Sequence, residues 1–508
     1  MDAFMQGLGM VLNVETILWC SFGSVLGIIL GALPGLTATM GIALVMPISF
    51  QLPAATGIGM LLAVYCGAVC GASIPAILLG IPGNPNAIAT VEDGQLMTKK
   101  GLAGQALGGS VIASLIGGMG SLLCLVFFAP LIAKLTLAFG PAEKTTLALV
   151  GLVIIASVSG KNILKGLLMG AFGMALAFLG TDPFSGQLRI PFQSVLAHTP
   201  LAKGLDLTAT LIGLYGISQV FAEIANLRKP RGEVVTSNIG KVFPPIKKVA
   251  QMWEIILSSL GIGTLIGAIP GTGASIAVFM SRNCAKGICE SNKELDMPGT
   301  GCLEGVFAPE VANNAVTGGA LIPALALGIP GDAATAVLIG ALMIKGVTPG
   351  FQLFQQNMPL VYGIFITMFI ANIFMAIFQL AGVRIYPKIL KISQRILLPI
   401  ILLLSYVGTF AVAGQAMSTG IFYMATSLVM GLIGYLLKKD GYPIAPIVLG
   451  LILGKMFEEN FRRAVKLAGG NYLTFFTKPI CWIFILIAVA TVVVPVVKRR
   501  KEAKKVNA

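Results

Sequence analysis

The sequence predicts an all-α polytopic membrane protein made of inverted repeats, with broken transmembrane helices, two re-entrant hairpins and about 11 bilayer crossings. Three observations predict it. The 508 residues are 56% hydrophobic and only 11% charged, with a mean hydropathy of +0.91, which no ordinary soluble domain matches. Two separate Gly/Pro-rich blocks each occur twice, in the same order. The basic residues gather in a central loop (Arg228, Lys229, Arg231, Lys241, Lys247, Lys248) and in the tail (Lys498, Arg499, Arg500, Lys501, Lys504, Lys505). The alternating strands of a transmembrane barrel are absent. The net charge of +15 therefore reads as positive-inside topology rather than as a nucleic-acid surface.

The first 15 residues carry no Lys or Arg, so no signal-peptide n-region is visible and the N-terminus is expected outside, uncleaved. Residues 16–50 then cross inward, with a break at Pro34–Gly35. Residues 54–98 must return to the inner side, because Lys99 and Lys100 belong there, so they form a re-entrant hairpin with its tip at Pro82–Gly83. Segments 102–128, 143–158, 161–180 and 206–226 alternate across the membrane, leaving Lys161, Lys165 and the basic loop inside. Residues 252–281 cross outward with a break at Pro270–Gly271, which places the Arg282–Asp296 loop outside. A second hairpin, tip at Pro330–Gly331, dips in from there. Residues 358–382 cross inward and put Arg384, Lys388, Lys391 and Arg395 inside. Spans at 396–413, 418–437, 443–457 and 480–497 complete the chain; 443–457 is short and reads equally as a third re-entrant piece. The organisation is a first repeat over 1–227, a basic linker over 228–250, a second repeat over 251–470 and a final span with a basic tail over 471–508.

The repeats rest on residues. Gly27, Gly31, Ala32, Pro34, Gly35 and Ala38 match Gly263, Gly267, Ala268, Pro270, Gly271 and Ala274, and "GASIPAILLGIPGN" (71–84) matches "GALIPALALGIPGD" (319–332). The first copy follows a non-basic terminus and the second follows the basic loop, so the copies are expected to be inverted in the membrane.

A helix interrupted inside a bilayer leaves free N–H groups at one end and free C=O groups at the other, costing several kcal/mol each unless they line a polar cavity. Freed N–H ends suit anions; unwound carbonyls suit cations. Small polar residues follow each interruption. The expected substrate-binding set is Pro34, Gly35, Thr37, Thr39, Gly83, Asn84, Asn86, Pro270, Gly271, Thr272, Gly273 and Ser275. The expected cation-binding set is Thr90, Asn313, Asn314, Gly331, Asp332 and Thr335. Any single hydroxyl here could simply bond back to its own helix. Asp332, the lone carboxylate at a hairpin tip, is functional by default. Glu304 and Glu310 serve equally well as helix-capping groups, and Glu92 and Asp93 as solvated residues near the inner surface. The eight cysteines lie mostly in spans; Cys284, Cys289 and Cys302 share a loop, where a disulfide stays open. With His198 as the only histidine, zinc is not expected, and no cofactor is called for beyond a coupling cation.

"GALPGLTATMGIALVMP", "YCGAVCGASIPAILLGIPGNPNAIATVEDGQLMTKKGLAGQALG", "EGVFAPEVANNAVTGGALIPALALGIPGDAATAVLIGAL" and "GYPIAPIVLGLILGKMFEENFRRAV" together resemble the large membrane subunit of tripartite tricarboxylate transporters, the TctA-like family. The resemblance runs over nearly the whole chain. It implies a bacterial inner-membrane, cation-driven importer of organic acids, sodium or proton being the cation. It also implies two partners, a small four-span membrane subunit and a periplasmic substrate-binding protein. Other classes have less in the sequence. No G-x-x-x-x-G-K-[ST] is present for a nucleotide-driven pump, and "GIPGD" lacks the second carboxylate an intramembrane aspartyl enzyme needs. A stand-alone symporter or a channel differs from a partnered importer only in what uptake requires.

Overall fold

The computed structural model describes residues 2–506 apart from 137–138, 159–162, 191–192, 228–238, 391 and 415. Arg228, Lys229, Arg231, Lys161 and Lys391 lie outside the described residues, as do the side chains of the basic tail. A small antiparallel ribbon pairs Gly180 with Arg189 and Thr181 with Leu188. The rest of the regular structure is helical: α1 (Asp2–Val11), α2 (Val14–Ala32), α3 (Ala38–Phe50), α4 (Ala54–Leu79), α5 (Ile88–Lys99), α6 (Ala103–Leu135), α7 (Pro141–Val158), α8 (Ile163–Ala177) and α9 (Leu207–Asn226). After the basic linker come α10 (Trp253–Ala268), α11 (Gly273–Ser291), α12 (Leu303–Leu327), α13 (Ala333–Ile344), α14 (Met358–Gly382), α15 (Gln394–Ala411), α16 (Met417–Lys439), α17 (Ala445–Leu467) and α18 (Pro479–Val506). Six of these, α2, α4, α6, α9, α14 and α16, are long and apolar enough to cross a membrane, and several shorter ones are equally apolar. The chain is a multi-pass helical membrane protein.

The two short interrupted segments do not continue in one direction. Asn13 starts α2 by accepting the Thr16 N–H at 2.8 Å, and α2 runs parallel to α4: Thr16 Oγ1 lies 2.7 Å from Thr56 Oγ1, Gly27 packs on Val64 and Gly31 on Ala68. α3 comes back between them, with Gly41 against Leu30 and Val64, and Ser49 against Gly57. The second copy does the same. α10 runs parallel to α12, Gly263 on Ala312 and Gly267 on Val316, while α11 returns so that Ser281 Oγ lies 2.7 Å from Ser259 Oγ and 2.6 Å from Ala308 O. Gly35 (φ 93°) and Gly271 (φ 78°) make the reversals, since their left-handed backbone is one that side-chain-bearing residues resist. The expectation of broken helices crossing at Pro34–Gly35 and Pro270–Gly271 is thus corrected to helical hairpins.

The Pro82–Gly83 and Pro330–Gly331 segments are corrected in the opposite sense. The chain enters along α4, doubles back briefly so that Gly83 N–H reaches Ala72 O at 3.3 Å, and leaves along α5 at the far end, where Thr98 Oγ1 donates to Ile77 O at 2.8 Å. α12 and α13 repeat this, and α13 ends with Lys345 Nζ donating to Leu52 O at 2.6 Å, back at the end where α4 begins.

α2, α4 and α14 run one way (Gly59 on Thr367, Gln379 Nε2 to Cys70 O at 3.3 Å). α6, α10 and α12 run the other (Gly109 on Phe307, Gly117 on Val311, Gly318 on Ser121). The sets meet antiparallel, with Gly118 against Asn372 and Val111 beside Ala376. Chain halves exchange helices throughout. α17 packs on α7 and α8 (Leu453 on Gly151, Ile447 on Gly173), and α9 packs on α16 (Gly213 on Ser427). Small residues let these backbones approach closely, which is how helices associate where lipid offers no hydrophobic drive.

The expected Arg282–Asp296 loop is helix up to Ser291, and because α11 returns, its end and residues 292–302 lie on the same face as the basic linker, not opposite to it as expected. Lys248 pairs with Asp296 and Glu304, both at 2.8 Å, and Lys100 Nζ donates to Thr300 O at 2.6 Å. Asp93 is not solvated on this face. It is fully buried and accepts Arg282 Nη2 (2.8 Å), Gly299 N–H (2.8 Å) and Gly301 N–H (2.9 Å). Asp93→Ala strips the Gly299 and Gly301 amides of their acceptor and leaves the buried Arg282 guanidinium with Glu92 alone, at 2.6 Å, so it should cost about 3 kcal/mol of stability; thermal unfolding in detergent measures this, with Glu92→Ala, which removes only the exposed partner, expected to cost less. All eight cysteines are free, and burial pushes the Cys302 thiol up to about 12.

Candidate functional site

Four helix starts converge in the middle of this bundle. Thr37 begins α3 by turning Oγ1 to the Met40 N–H at 3.3 Å. Asn84 Oδ1 accepts the Asn86 and Ala87 N–H groups at 3.0 and 3.2 Å ahead of α5. Asp332 closes a capping box on α13: its Oδ1 accepts the Thr335 N–H at 2.8 Å, and Thr335 Oγ1 accepts the Asp332 N–H at 3.0 Å. α11 is different, because Thr272 turns its hydroxyl back to Ile269 O (2.9 Å) and leaves the first turn without a side-chain cap. The tips are stapled in pairs, Gly35 N–H to Gly83 O at 3.2 Å and Gly271 N–H to Gly331 O at 2.8 Å.

Between the tips lies a cavity of about 420 Å³, a size that suits a small molecule. Of the expected substrate set, Thr37, Thr39, Asn84, Asn86 and Gly273 line it. Ser275 stands behind Asn86, donating to its Oδ1 at 2.8 Å. Pro34, Gly35, Gly83, Pro270, Gly271 and Thr272 build the turns and do not reach the cavity. The expected cation set divides. Asn313 and Asp332 line the cavity, whereas Thr90, Asn314 and Thr335 are buried beside it and Gly331 packs on Ala320. Asp332 has both oxygens engaged, Oδ1 in its cap and Oδ2 by the Tyr65 hydroxyl at 2.5 Å.

Among the lining residues outside the expected sets, five carry polar side chains: Tyr65, Tyr215, Gln219, Lys438 and Tyr442. Lys438 is the one basic side chain lining the cavity among the described residues, and its Nζ donates to Ser218 Oγ (3.0 Å) and Gln219 Oε1 (3.1 Å). In sequence it belongs to a Lys438–Lys439–Asp440 run at a span end, which reads as a solvated interface. Along its wall the site offers positive helix ends and an ammonium against one already hydrogen-bonded carboxylate, Asp332; Glu223 stands behind the wall, held by Gln219 at 2.9 Å and near enough to interact with Lys438. That balance favours an anion.

The profile of the tripartite tricarboxylate transporter TctA family matches residues 17–449. The chain belongs to the TctA family. Among relatives, an Agrobacterium vitis protein described as "uncharacterized 52.8 kDa protein in TAR-I ttuC' 3'region" is 31% identical over 488 residues, covering 96% of this chain and 94% of that one. A second A. vitis protein, from the TAR-II ttuC' 3'region, is 34% identical over 218 residues, covering 43% of this chain and 87% of its own length. No solved structure matches. Membership of TctA makes this chain the large membrane subunit of a tricarboxylate transporter and not an enzyme. The matched region contains every residue that lines the cavity, from Thr37 to Ala445.

Proposed function

We propose that this TctA-family chain is the permease subunit of a binding-protein-dependent secondary transporter in a bacterial inner membrane. It imports tricarboxylates or related organic acids by alternating access, driven by a cation gradient, with sodium as the coupling ion. A periplasmic binding protein delivers the acid and a small four-span subunit completes the membrane complex. The N-terminus is periplasmic and the C-terminus cytoplasmic.

The chain comprises two inverted repeats in this proposal. Support comes from the matched contacts, which recur pair for pair, and from the antiparallel sense of the two helix sets. With α2–α3 and α10–α11 re-entrant, and α4–α5 and α12–α13 as interrupted crossings, the chain makes about 11 crossings. The observation that carries the functional reading is the convergence of four helix N-termini, two from each repeat, and Lys438 on one cavity. Carboxylates of the acid face Thr37, Asn84, Asn86, the open start of α11 and Lys438. A site shared between repeats is what rocking of one against the other would expose alternately.

Uptake into vesicles holding the membrane subunits, with binding protein added outside, tests this across tricarboxylates, dicarboxylates and aromatic acids. Accumulation above the outside concentration, dependent on an imposed sodium gradient and on the binding protein, is the expected result. Equilibration without accumulation would make the chain a channel, and accumulation without the binding protein a stand-alone symporter. Failure of every acid would overturn the proposal.

A further inference from the structure

Beside the cavity lies a buried carboxylate that the substrate site does not use. Glu310 sits in the N-terminal third of α12, 1% exposed, and accepts the Thr90 hydroxyl at 2.5 Å through Oε1. Its second oxygen, Oε2, has no hydrogen-bond partner. Ser114 Oγ accepts Asn314 Nδ2 at 2.7 Å, which leaves its hydroxyl hydrogen free to turn to the carboxylate beside it. No charged side chain pairs with Glu310 among the described residues. A carboxylate buried with only neutral hydroxyls around it is far more costly than any unpaired amide.

The neighbouring unpartnered atoms share one character. Asn313 and Asn314 use their Nδ2 groups, toward Val69 O (3.5 Å) and toward Ser114 Oγ and Glu310 O, while Oδ1 of each is unpartnered. Gln379 likewise donates to Cys70 O and leaves Oε1 unpartnered. Glu310, Asn313 and Asn314 are spaced i, i+3 and i+4, so they share one face of α12. That face carries a surplus of oxygens and a deficit of donors, with a formal charge of −1. The complement of such a set is a monovalent cation.

The repeat sharpens this. In the register that pairs Gly319 with Gly71, Asn313 corresponds to Tyr65, but Glu310 corresponds to Leu62 and Asn314 to Cys66. The acidic pocket therefore exists in one copy only. Asn313 belongs both to it and to the cavity wall.

We propose that Glu310, with Thr90, Asn313 and Asn314, binds the coupling cation, sodium or a proton, and that Asn313 links it to the acid-binding cavity. The proposal rests on the transport reading above. It moves the cation away from Asp332, whose two oxygens are already taken by Thr335 and Tyr65. Occupancy neutralises Glu310 and orients Asn313, so cation and acid each bind better in the presence of the other, as linkage requires. The titratable group facing Glu310 from α4 is Cys70; from α5 the nearest acid is Asp93, which is held by Arg282 of α11; α6 and α14 contribute only the neutral Ser114 and Gln379.

Thermal unfolding of the purified protein, without any acid, tests this independently of transport. Wild type is titrated with sodium chloride against choline chloride at fixed pH, and separately with pH in choline. A ligand that binds only the folded state raises its melting temperature. If sodium is the ion, wild type is stabilised by sodium and Glu310→Gln is not, while Asp332→Asn responds like wild type. If the ion is a proton, the stabilisation of wild type on acidification is what Glu310→Gln loses. Asn314→Ala, which keeps the carboxylate, should shift the half-maximal sodium concentration upward by about tenfold in the sodium case. Either pattern supports the site even if no acid is transported. A wild type that responds to neither cation, or a Glu310→Gln variant that responds as wild type does, overturns it.

Discussion

Lys438→Met should reduce uptake of the transported acid by roughly 10- to 100-fold at subsaturating concentration, from the loss of a charge-assisted hydrogen bond worth about 1.5–3 kcal/mol. Lys438 is the one basic group lining the cavity among the described residues, and it is held there by Ser218 and Gln219. Methionine has similar length and no charge, and it sits well in a bundle of apolar helices, so folded protein should reach the membrane in normal amount. The deficit should therefore appear in the concentration dependence, measured as uptake per folded molecule. Lys438→Arg should retain much of the activity, because it keeps the charge while changing the reach. Equal half-saturation in wild type and Lys438→Met would remove this residue from the acid site.

Gly83→Leu should act by an entirely different route and abolish folded protein. A side chain at Gly83 would begin 2.5 Å from Gly31 O, 2.8 Å from Ala72 Cα and 2.9 Å from Ala72 O. All three are backbone atoms in packed helices and cannot move aside as a flexible side chain would. Overpacking of a core typically costs about 1–3 kcal/mol, and more where nothing can yield. Gly331→Leu meets Gly267 O and Ala320 in the same way and should behave alike. Gly287→Leu is the control, on α11 with open space around it. Fluorescence-detected size exclusion of the three variants makes the comparison: loss of the monodisperse peak for Gly83→Leu and Gly331→Leu only.

Both pairs of glycines were visible as repeats in the sequence, and so were Thr37, Thr39, Asn84 and Asn86 as polar residues following an interruption. These are local signals, readable from a dozen residues. The direction of the chain after each interruption was not readable. A crossing followed by a hairpin, or a hairpin followed by a crossing, delivers Lys99 and Lys100 to the same side, so charge bias cannot tell them apart. The distinction lies in backbone angles at Gly35 and Gly271 and in which helix each segment packs upon. The same limit hid Lys438, which reaches the cavity only because α16 packs on α9. Tyr65 is a single hydroxyl in an apolar run, and its partner Asp332 is 267 positions away. The spacing of Glu310, Asn313 and Asn314 was on view, but nothing local shows that a helix in this bundle buries it.

The central claim is that one cavity, walled by tips from both repeats, binds the acid. It is tested most directly by cysteine protection, with the native cysteines replaced. Single cysteines at Asn86 and Thr39, which line the cavity, and at Ser291, exposed at the end of α11, are reacted with a charged thiol reagent in membranes containing sodium. Adding an acid that the complex transports should slow modification of Asn86→Cys and Thr39→Cys several-fold and leave Ser291→Cys unchanged. Unchanged rates at both cavity positions, with an acid whose uptake is measured in the same membranes, would contradict the claim.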